Sequence, residues 1–119
     1  MNFLGKNRDR LSIIAAILCA ARSGSTKTHI MFGANLSFNL LGKYLDVAIN
    51  AGFVQTGGSR YLLTEHGQEF LKRYKQFEDR YMKAQEMLEA LDGEHDKLTL
   101  FFEKSKLLES SRSTLDANN

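Results

Sequence analysis

Few residues of this 119-residue chain have the types and spacing that catalytic or metal chemistry requires. The three histidines, His29, His66 and His95, share no metal-ligand spacing. The single cysteine, Cys19, lies within an apolar run and is predicted to be a buried, inert thiol. No phosphate-binding loop or nucleophile elbow occurs. We therefore expect no enzymatic activity, no bound metal and no cofactor.

The charged residues instead divide the chain into two halves. Up to Lys75 there are ten basic and four acidic residues, a formal charge of +6, whereas the remainder carries −4 and the whole chain +2. Such asymmetry indicates a basic half that binds a polyanion and an acidic half with another task. The longest apolar run, residues 13–21, is too short to span a bilayer, so we expect a cytoplasmic protein without a membrane partner.

The elements that must position these charges are short in the first half of the chain. Apolar spacing, capping residues and glycines predict three helices: residues 8–23, a helix capped by Ser25 or Thr26 and ending near Ala34, and a helix between Ser37 and Gly52. Leu40 and Leu41 are expected on the inward face of the third helix. Three short helices in this arrangement predict a helix-turn-helix.

A hairpin and one long helix are predicted to follow. Residues 53–56 and 60–63 are short apolar runs separated by Gly57-Gly58-Ser59, which suits a tight turn. Thr64 then caps a helix that no proline interrupts. The predicted fold is mainly α (α+β): a winged helix-turn-helix over residues 8–69, a coiled-coil dimerisation helix over 70–109 and a flexible tail over 110–119.

The coiled-coil prediction depends on a seam in the long helix. Eleven positions from Phe70 to Ser105 alternate by four and three residues, and nine of them are apolar. This pattern is typical of a helix that pairs with another helix. The predicted dimer interface consists of Tyr74, Phe77, Tyr81, Ala84, Leu88, Leu91, His95, Leu98 and Phe102.

The sequence also favours an antiparallel orientation for this homodimer. When the numbers of facing seam residues sum to 179, large residues meet smaller ones, as when Tyr74 faces the partner's Ser105. The same register sets Arg80 beside the partner's Glu94 and Glu78 beside the partner's Lys106. A parallel pairing offers fewer opposite-charge contacts and stacks His95 on its own copy.

The basic half supplies the predicted interface with double-stranded DNA. In a helix-turn-helix, the second helix of the pair enters the major groove, and nearby basic and hydroxyl side chains hold phosphates. We expect binding with little sequence preference and a strong salt dependence. The predicted contact residues are Lys27, Thr28, His29, Ser37, Asn39, Lys43, Ser59 and Arg60.

Three blocks of sequence resemble one known family. The segment Lys27-Thr28-His29-Ile30-Met31-Phe32-Gly33-Ala34-Asn35-Leu36-Ser37, the segment Gly42-Lys43-Tyr44-Leu45 and the segment Tyr61-Leu62-Leu63-Thr64 with Gly67 are similar to the archaeal 10a-type DNA-binding proteins of Sulfolobus. The likeness covers residues 11–102. The chain departs from the family at His29, at Phe32 and in its extended acidic C-terminal segment.

The resemblance implies a specific function. Members are small winged-helix nucleoid proteins that dimerise through an antiparallel coiled coil, bind DNA largely without sequence specificity and organise or bridge it. We therefore expect an architectural, nucleoid-associated chromatin protein. Two alternatives stay open at this point: a winged-helix transcriptional regulator that binds one operator, and a coiled-coil interaction scaffold that does not bind DNA.

Overall fold

The structure is a computed structural model that describes residues 8–117, with side chains up to Ser110. Its elements follow the order α1 (Arg10–Ala20), α2 (Lys27–Gly33), α3 (Phe38–Asn50), β1 (Val54–Gly57), β2 (Arg60–Leu63) and α4 (Glu65–Ala117). The described residues up to Glu78 form one compact unit, which we call the head. Residues 79–117 belong to a second unit, the C-terminal segment. The predicted fold class, a winged helix-turn-helix with a long C-terminal helix, is confirmed.

Each helix begins at a side chain that accepts a hydrogen bond from the backbone of its first turn. In α1 the Ser12 N–H donates to the Asp9 side chain at 2.7 Å, and in α2 the His29 N–H donates to the Thr26 side chain at 3.2 Å. In α3 the Leu40 N–H donates to the Ser37 side chain at 3.2 Å, and in α4 the Gly67 N–H donates to the Thr64 side chain at 3.0 Å. Caps of this kind stabilise a helix by about 1 kcal/mol each. They fix where the helices begin and therefore which faces point inward.

The core of the head lies where the first three helices meet. Ile17, Leu18, Ile30 and Leu41 are completely buried. Leu71 of α4 belongs to the same buried cluster, as does Val54 of β1. The start of α4 is thus part of the head.

The turn between α2 and α3 is held by backbone groups. Asn35 adopts a φ of 54°, in the left-handed region that asparagine tolerates better than most residues. The Leu36 N–H donates to the Met31 carbonyl at 3.0 Å, and the Arg8 guanidinium donates to the Ala34 carbonyl at 2.7 Å. These bonds set the direction in which α3 leaves the turn.

The wing is an antiparallel hairpin with the register Val54 to Leu63 and Gly57 to Arg60. Its two-residue loop begins at Gly58, whose φ of 62° is disfavoured for residues with a Cβ. The strand β2 also pairs with the segment before α2: Ser25 and Tyr61 exchange two backbone hydrogen bonds, at 3.0 and 2.8 Å. The wing is therefore tied directly to the segment that leads into α2.

Gly67 lies where α4 passes closest to the loop before β1. A Cβ at this position would overlap the Phe53 carbonyl oxygen and lie 2.6 Å from Cδ1 of Leu63. The Thr64 N–H donates to the same Phe53 carbonyl at 3.0 Å. Only a glycine permits this approach without a backbone shift.

Two predictions of burial are wrong. Cys19 is exposed, and Leu40 is 43% exposed although it was expected on the inward face of α3. Helix α1 is apolar around most of its circumference, so the spacing of its residues does not fix which side faces the core. In α3 the buried stripe is the narrower set Leu41, Leu45 and Ala48.

The ends of two helices also differ from expectation. Helix α1 ends at Ala20 instead of Ser23, with a turn before Gly24. Helix α4 continues to Ala117, where the sequence predicts a flexible tail over 110–119, because residues 110–117 contain no glycine or proline to stop it. The side chains of residues 111–119 and the backbone of residues 118–119 lie outside the described part of the chain.

Candidate nucleic-acid interface

Helix α3 presents one polar face to solvent while the opposite face packs in the core. Ser37, Asn39 and Lys43 are exposed, whereas Leu41 and Leu45 are buried. Asn39 and Lys43 are four residues apart and therefore neighbours on the helix surface. The Lys43 ammonium lies 5.4 Å from the centre of the Tyr44 ring. This face carries an amide, which can pair with base edges in the major groove, and a cation, which can hold a backbone phosphate.

The first turn of α3 lies beside the first turn of α2. The Lys27 ammonium lies 4.7 Å above the ring of Phe38, a cation–π contact that joins the two helix starts. Ser37 uses its hydroxyl oxygen to cap α3, which leaves its O–H free to donate. Lys27 and Ser37, predicted from the sequence as phosphate contacts, are thus brought to one side of the head.

A second group of predicted residues meets between the start of α2 and the wing. Arg60 donates from Nη1 to the Gly24 carbonyl at 3.1 Å. Arg60 and His29 line one open depression of about 330 Å³, together with residues 23–26. Its lining combines a guanidinium, an imidazole, hydroxyls and backbone groups, which suits a sugar-phosphate backbone.

The two remaining predicted contact residues lie on the exposed surface. Thr28 is exposed in the first turn of α2, and Ser59 is exposed in the loop of the wing. Of the eight predicted residues, Lys27 alone is half-buried, and the other seven are exposed.

Two exposed aromatic side chains on the helix-turn-helix are not among the residues predicted from the sequence. Phe32 is 75% exposed in the last turn of α2, and Phe38 is 66% exposed at the first position of α3. Aromatic residues usually indicate core, so apolar periodicity gives no reason to assign them to a surface. The signal that could have found Phe38 is its place directly after the cap Ser37, in the first turn of the helix that enters the major groove in helix-turn-helix proteins in general.

An ion pair on the surface of the head joins two exposed side chains of α4. Arg73 donates to Glu69 at 2.9 Å, and this hydrogen bond and charge hold the pKa of the Glu69 carboxyl below its usual value.

Among the described residues, every buried side-chain nitrogen or oxygen has a hydrogen-bond partner. The same residues contain no cluster of His, Cys, Asp or Glu suited to a metal ion. No helix within residues 8–117 is long and apolar enough to cross a bilayer.

The predicted dimer seam begins in the head and continues through the C-terminal segment. Tyr74 and Phe77 belong to the head, where the Tyr74 ring packs at the edge of the core. In the C-terminal segment Tyr81 is half-buried, and the other six seam residues are exposed: Ala84, Leu88, Leu91, His95, Leu98 and Phe102. Six large apolar residues of the segment outside the seam are also exposed, among them Leu100 at 62% and Phe101 at 72%. So much exposed apolar surface exceeds what a soluble protein usually leaves uncovered.

These features define a class of protein. A head of three helices and a hairpin, with a polar α3 face and basic side chains beside it, has the architecture of a winged helix-turn-helix. The profile of the winged helix-turn-helix family matches residues 7–82, and the chain belongs to this family.

Two known proteins are similar to it. An uncharacterized protein of Methanocaldococcus jannaschii is 34% identical over 73 residues, which cover 60% of this chain and 75% of the relative. A crystal structure is similar in fold: Sso10a-2, a DNA-binding protein from Sulfolobus solfataricus, with a TM-score of 0.57 and 23% identity over 71% of this chain and 96% of that chain. The fold expected from the resemblance to the Sulfolobus 10a-type proteins is confirmed.

Proposed function

We propose that this chain is a dimeric, architectural protein that binds double-stranded DNA largely without sequence specificity. The observation that carries the proposal is the exposed polar face of α3, together with Lys27 beside its first turn and the Arg60 depression at the start of α2. The family of the chain and the DNA-binding protein of similar fold support it.

The geometry suits a duplex because the contacts come from three separate places. Helix α3 is narrow enough to enter a major groove about 12 Å wide, and Asn39 lies in its first turn. Lys27 with Thr28 and Ser59 with Arg60 then lie at α2 and at the wing, where they contact phosphates. Basic and hydroxyl side chains outnumber amides in this set, which favours backbone contacts over base reading.

The electrostatics favour affinity without sequence preference. The head carries most of the +6 charge found up to Lys75, and its predicted DNA contacts include no acidic residue. Neutralising about six phosphates makes binding fall roughly a thousand-fold between 50 and 200 mM salt. A nucleoid protein that covers the genome needs this kind of binding.

Dimerisation accounts for the apolar surface of the C-terminal segment. Antiparallel pairing with the 179 register brings Leu88 against the partner's Leu91, and Arg80 beside the partner's Glu94. The dimer then has two heads related by a two-fold axis, which bridge two duplexes or coat one. A monomer at micromolar concentration in light scattering would contradict the dimer.

The test is a binding titration with random and genomic duplexes at two salt concentrations. The architectural role requires a steep salt dependence and affinities for the two duplexes within about three-fold of each other. A regulator would instead select one genomic fragment by a factor of roughly a thousand or more. A scaffold would bind neither DNA.

The variant that tests the interface is Lys43→Glu. We expect DNA affinity to fall at least ten-fold on every sequence, with a salt slope reduced by about 1. The matched control is Lys83→Glu, the same charge reversal in the C-terminal segment, which should leave DNA affinity within about two-fold. Arg60→Glu should act like Lys43→Glu, with the additional loss of the hydrogen bond to Gly24. Equal effects of Lys43→Glu and Lys83→Glu would contradict the proposed interface.

A further inference from the structure

The head carries an apolar depression that shares no residue with the proposed DNA interface. It has a volume of about 300 Å³ and is lined by Leu11 of α1 and by Phe70, Arg73, Tyr74 and Phe77 of α4. Its surface is almost entirely carbon, and Leu11 and Phe77 are 46% and 44% exposed. All five residues belong to the head.

We propose that this depression is the docking site for Phe101 and Phe102 of a second copy of the chain. The inference rests on the proposed antiparallel dimer and goes beyond it, because it adds α1 to the interface and makes the partner complete the surface of each head. Phe101 and Phe102 are adjacent aromatic residues, 72% and 59% exposed, at the far end of the predicted seam.

The register derived from the seam brings these residues to the depression. Facing numbers sum to 179, so the partner's Phe102 lies level with Phe77, and the partner's small Ser105 lies level with Tyr74. The register sets Arg80 beside the partner's Glu94. One heptad further along the antiparallel pair, it sets Arg73 beside the partner's Phe101. A guanidinium against an aromatic ring is a favourable cation–π pair. The aromatic pair thus meets two of the five lining residues, Phe77 and Arg73.

Charge complementarity supports the same placement. Glu78 follows the depression along α4, and the register sets it beside the partner's Lys106, four residues beyond Phe102. The C-terminal half has a net charge of −4, and the half that contains the depression has +6, so the two attract each other across the dimer.

Phe77 and Phe102 of one copy lie on the same helix, in which only residues three or four apart are neighbours, so the occupant is a second copy.

Leu11 distinguishes this docking from a plain two-stranded coiled coil. It lies on α1, outside the seam, and a coiled coil formed by α4 alone would not use it. Leu11→Glu should therefore weaken dimerisation roughly ten- to 100-fold, the range expected when a buried apolar anchor is lost. The matched control is Leu40→Glu, with an equally exposed leucine elsewhere on the head, which should leave the dimer dissociation constant unchanged.

The occupant is tested from the other side. Phe101→Ala combined with Phe102→Ala should weaken the dimer by a similar factor, whereas Leu100→Ala, at an outward position of the same helix, should not. The dissociation constants are measured by analytical ultracentrifugation, and circular dichroism verifies that each variant is folded. If neither Leu11→Glu nor the double phenylalanine variant changes dimerisation, the docking is overturned.

A crosslink separates failure of the docking from failure of the dimer. Because Cys19 is exposed, the experiment uses a Cys19→Ser background that carries Glu78→Cys and Lys106→Cys. A disulfide between residue 78 and the partner's residue 106, with no effect of Leu11→Glu, would leave the antiparallel dimer standing and remove the docking. A chain that is monomeric, or that crosslinks between the two copies of residue 78 when Glu78→Cys is the only cysteine, would overturn both.

Discussion

Gly67 is the described glycine at which an added Cβ would lie closest to its neighbours. An added methyl group would overlap the Phe53 carbonyl oxygen, which is backbone and already accepts a hydrogen bond from Thr64. We expect Gly67→Ala to lower the free energy of unfolding by about 1–3 kcal/mol, despite the better helix propensity of alanine. Urea denaturation followed by circular dichroism measures this change.

Gly93 provides the matched control within the same helix. Nothing in the structure lies within 4 Å of a Cβ at position 93. Gly93→Ala should raise stability by up to about 1 kcal/mol, the ordinary gain of alanine over glycine in a helix. A stabilising effect of both substitutions would show that the loop before β1 yields to α4.

The contact between α4 and the start of α1 makes the head sensitive to high pH. Burial, followed by the negative charges of Glu78 and Asp9, raises the pKa of the Tyr74 phenol above its usual 10.0. The folded state therefore holds the phenol proton more tightly than the unfolded state, and this stability is present below pH 10 and lost as the pH rises through the raised pKa. The urea concentration at the midpoint of unfolding of the unmodified chain should therefore decrease as the pH is raised from 9 to 11.

The matched variant for this effect is Tyr74→Phe. It lacks the titrating group, so its stability should depend less on pH over the same interval than that of the unmodified chain. Below pH 9 the difference between the two proteins should be constant. Parallel curves up to pH 11 would contradict a raised pKa at Tyr74.

At the level of elements, local signals predict the head well and nonlocal ones are absent from the sequence. Thr26, Ser37 and Thr64 are recognisable caps because a cap acts on the next three residues. The pairing of Ser25 with Tyr61 joins residues 36 positions apart, and no periodic pattern in the sequence predicts it. The exposure of Cys19 escapes prediction for a related reason: the uniformly apolar α1 has no preferred side until α2 and α3 pack against it.

In the candidate DNA interface, too, the features set by local sequence are predictable and those set by tertiary packing are not. The polar face of α3 is predictable, since Asn39 and Lys43 interrupt a helix whose other side is apolar. The joint depression of His29 and Arg60 depends on how the wing folds back to the start of α2, and so does the use of Arg60 as a donor to Gly24. The contact of Lys27 with Phe38 likewise needs the angle between two helices.

For the whole molecule, the proposed function depends on two heads in one particle. The described core lies entirely within residues 13–74, so a chain that ends at Arg80 should fold and remain monomeric. We expect the complete dimer to bring a labelled duplex onto beads that carry a second duplex, and the chain that ends at Arg80 to bring none. The shortened chain should also bind a single duplex with at least ten-fold lower affinity, because the second head no longer contributes. Capture by the shortened chain would contradict bridging through the dimer.

The bonds between the wing and the start of α2 also bear on how fast the protein finds DNA. Ser25 and Tyr61 hold the two segments together by a backbone pair, and Arg60 adds a bond to Gly24. The groups of both segments that we propose bind phosphate are therefore in place before DNA arrives, and little conformational search is left for the encounter. Association should then approach the diffusion limit at low ionic strength and slow as salt screens the basic head, while the time that each head stays bound is set by the phosphates it contacts.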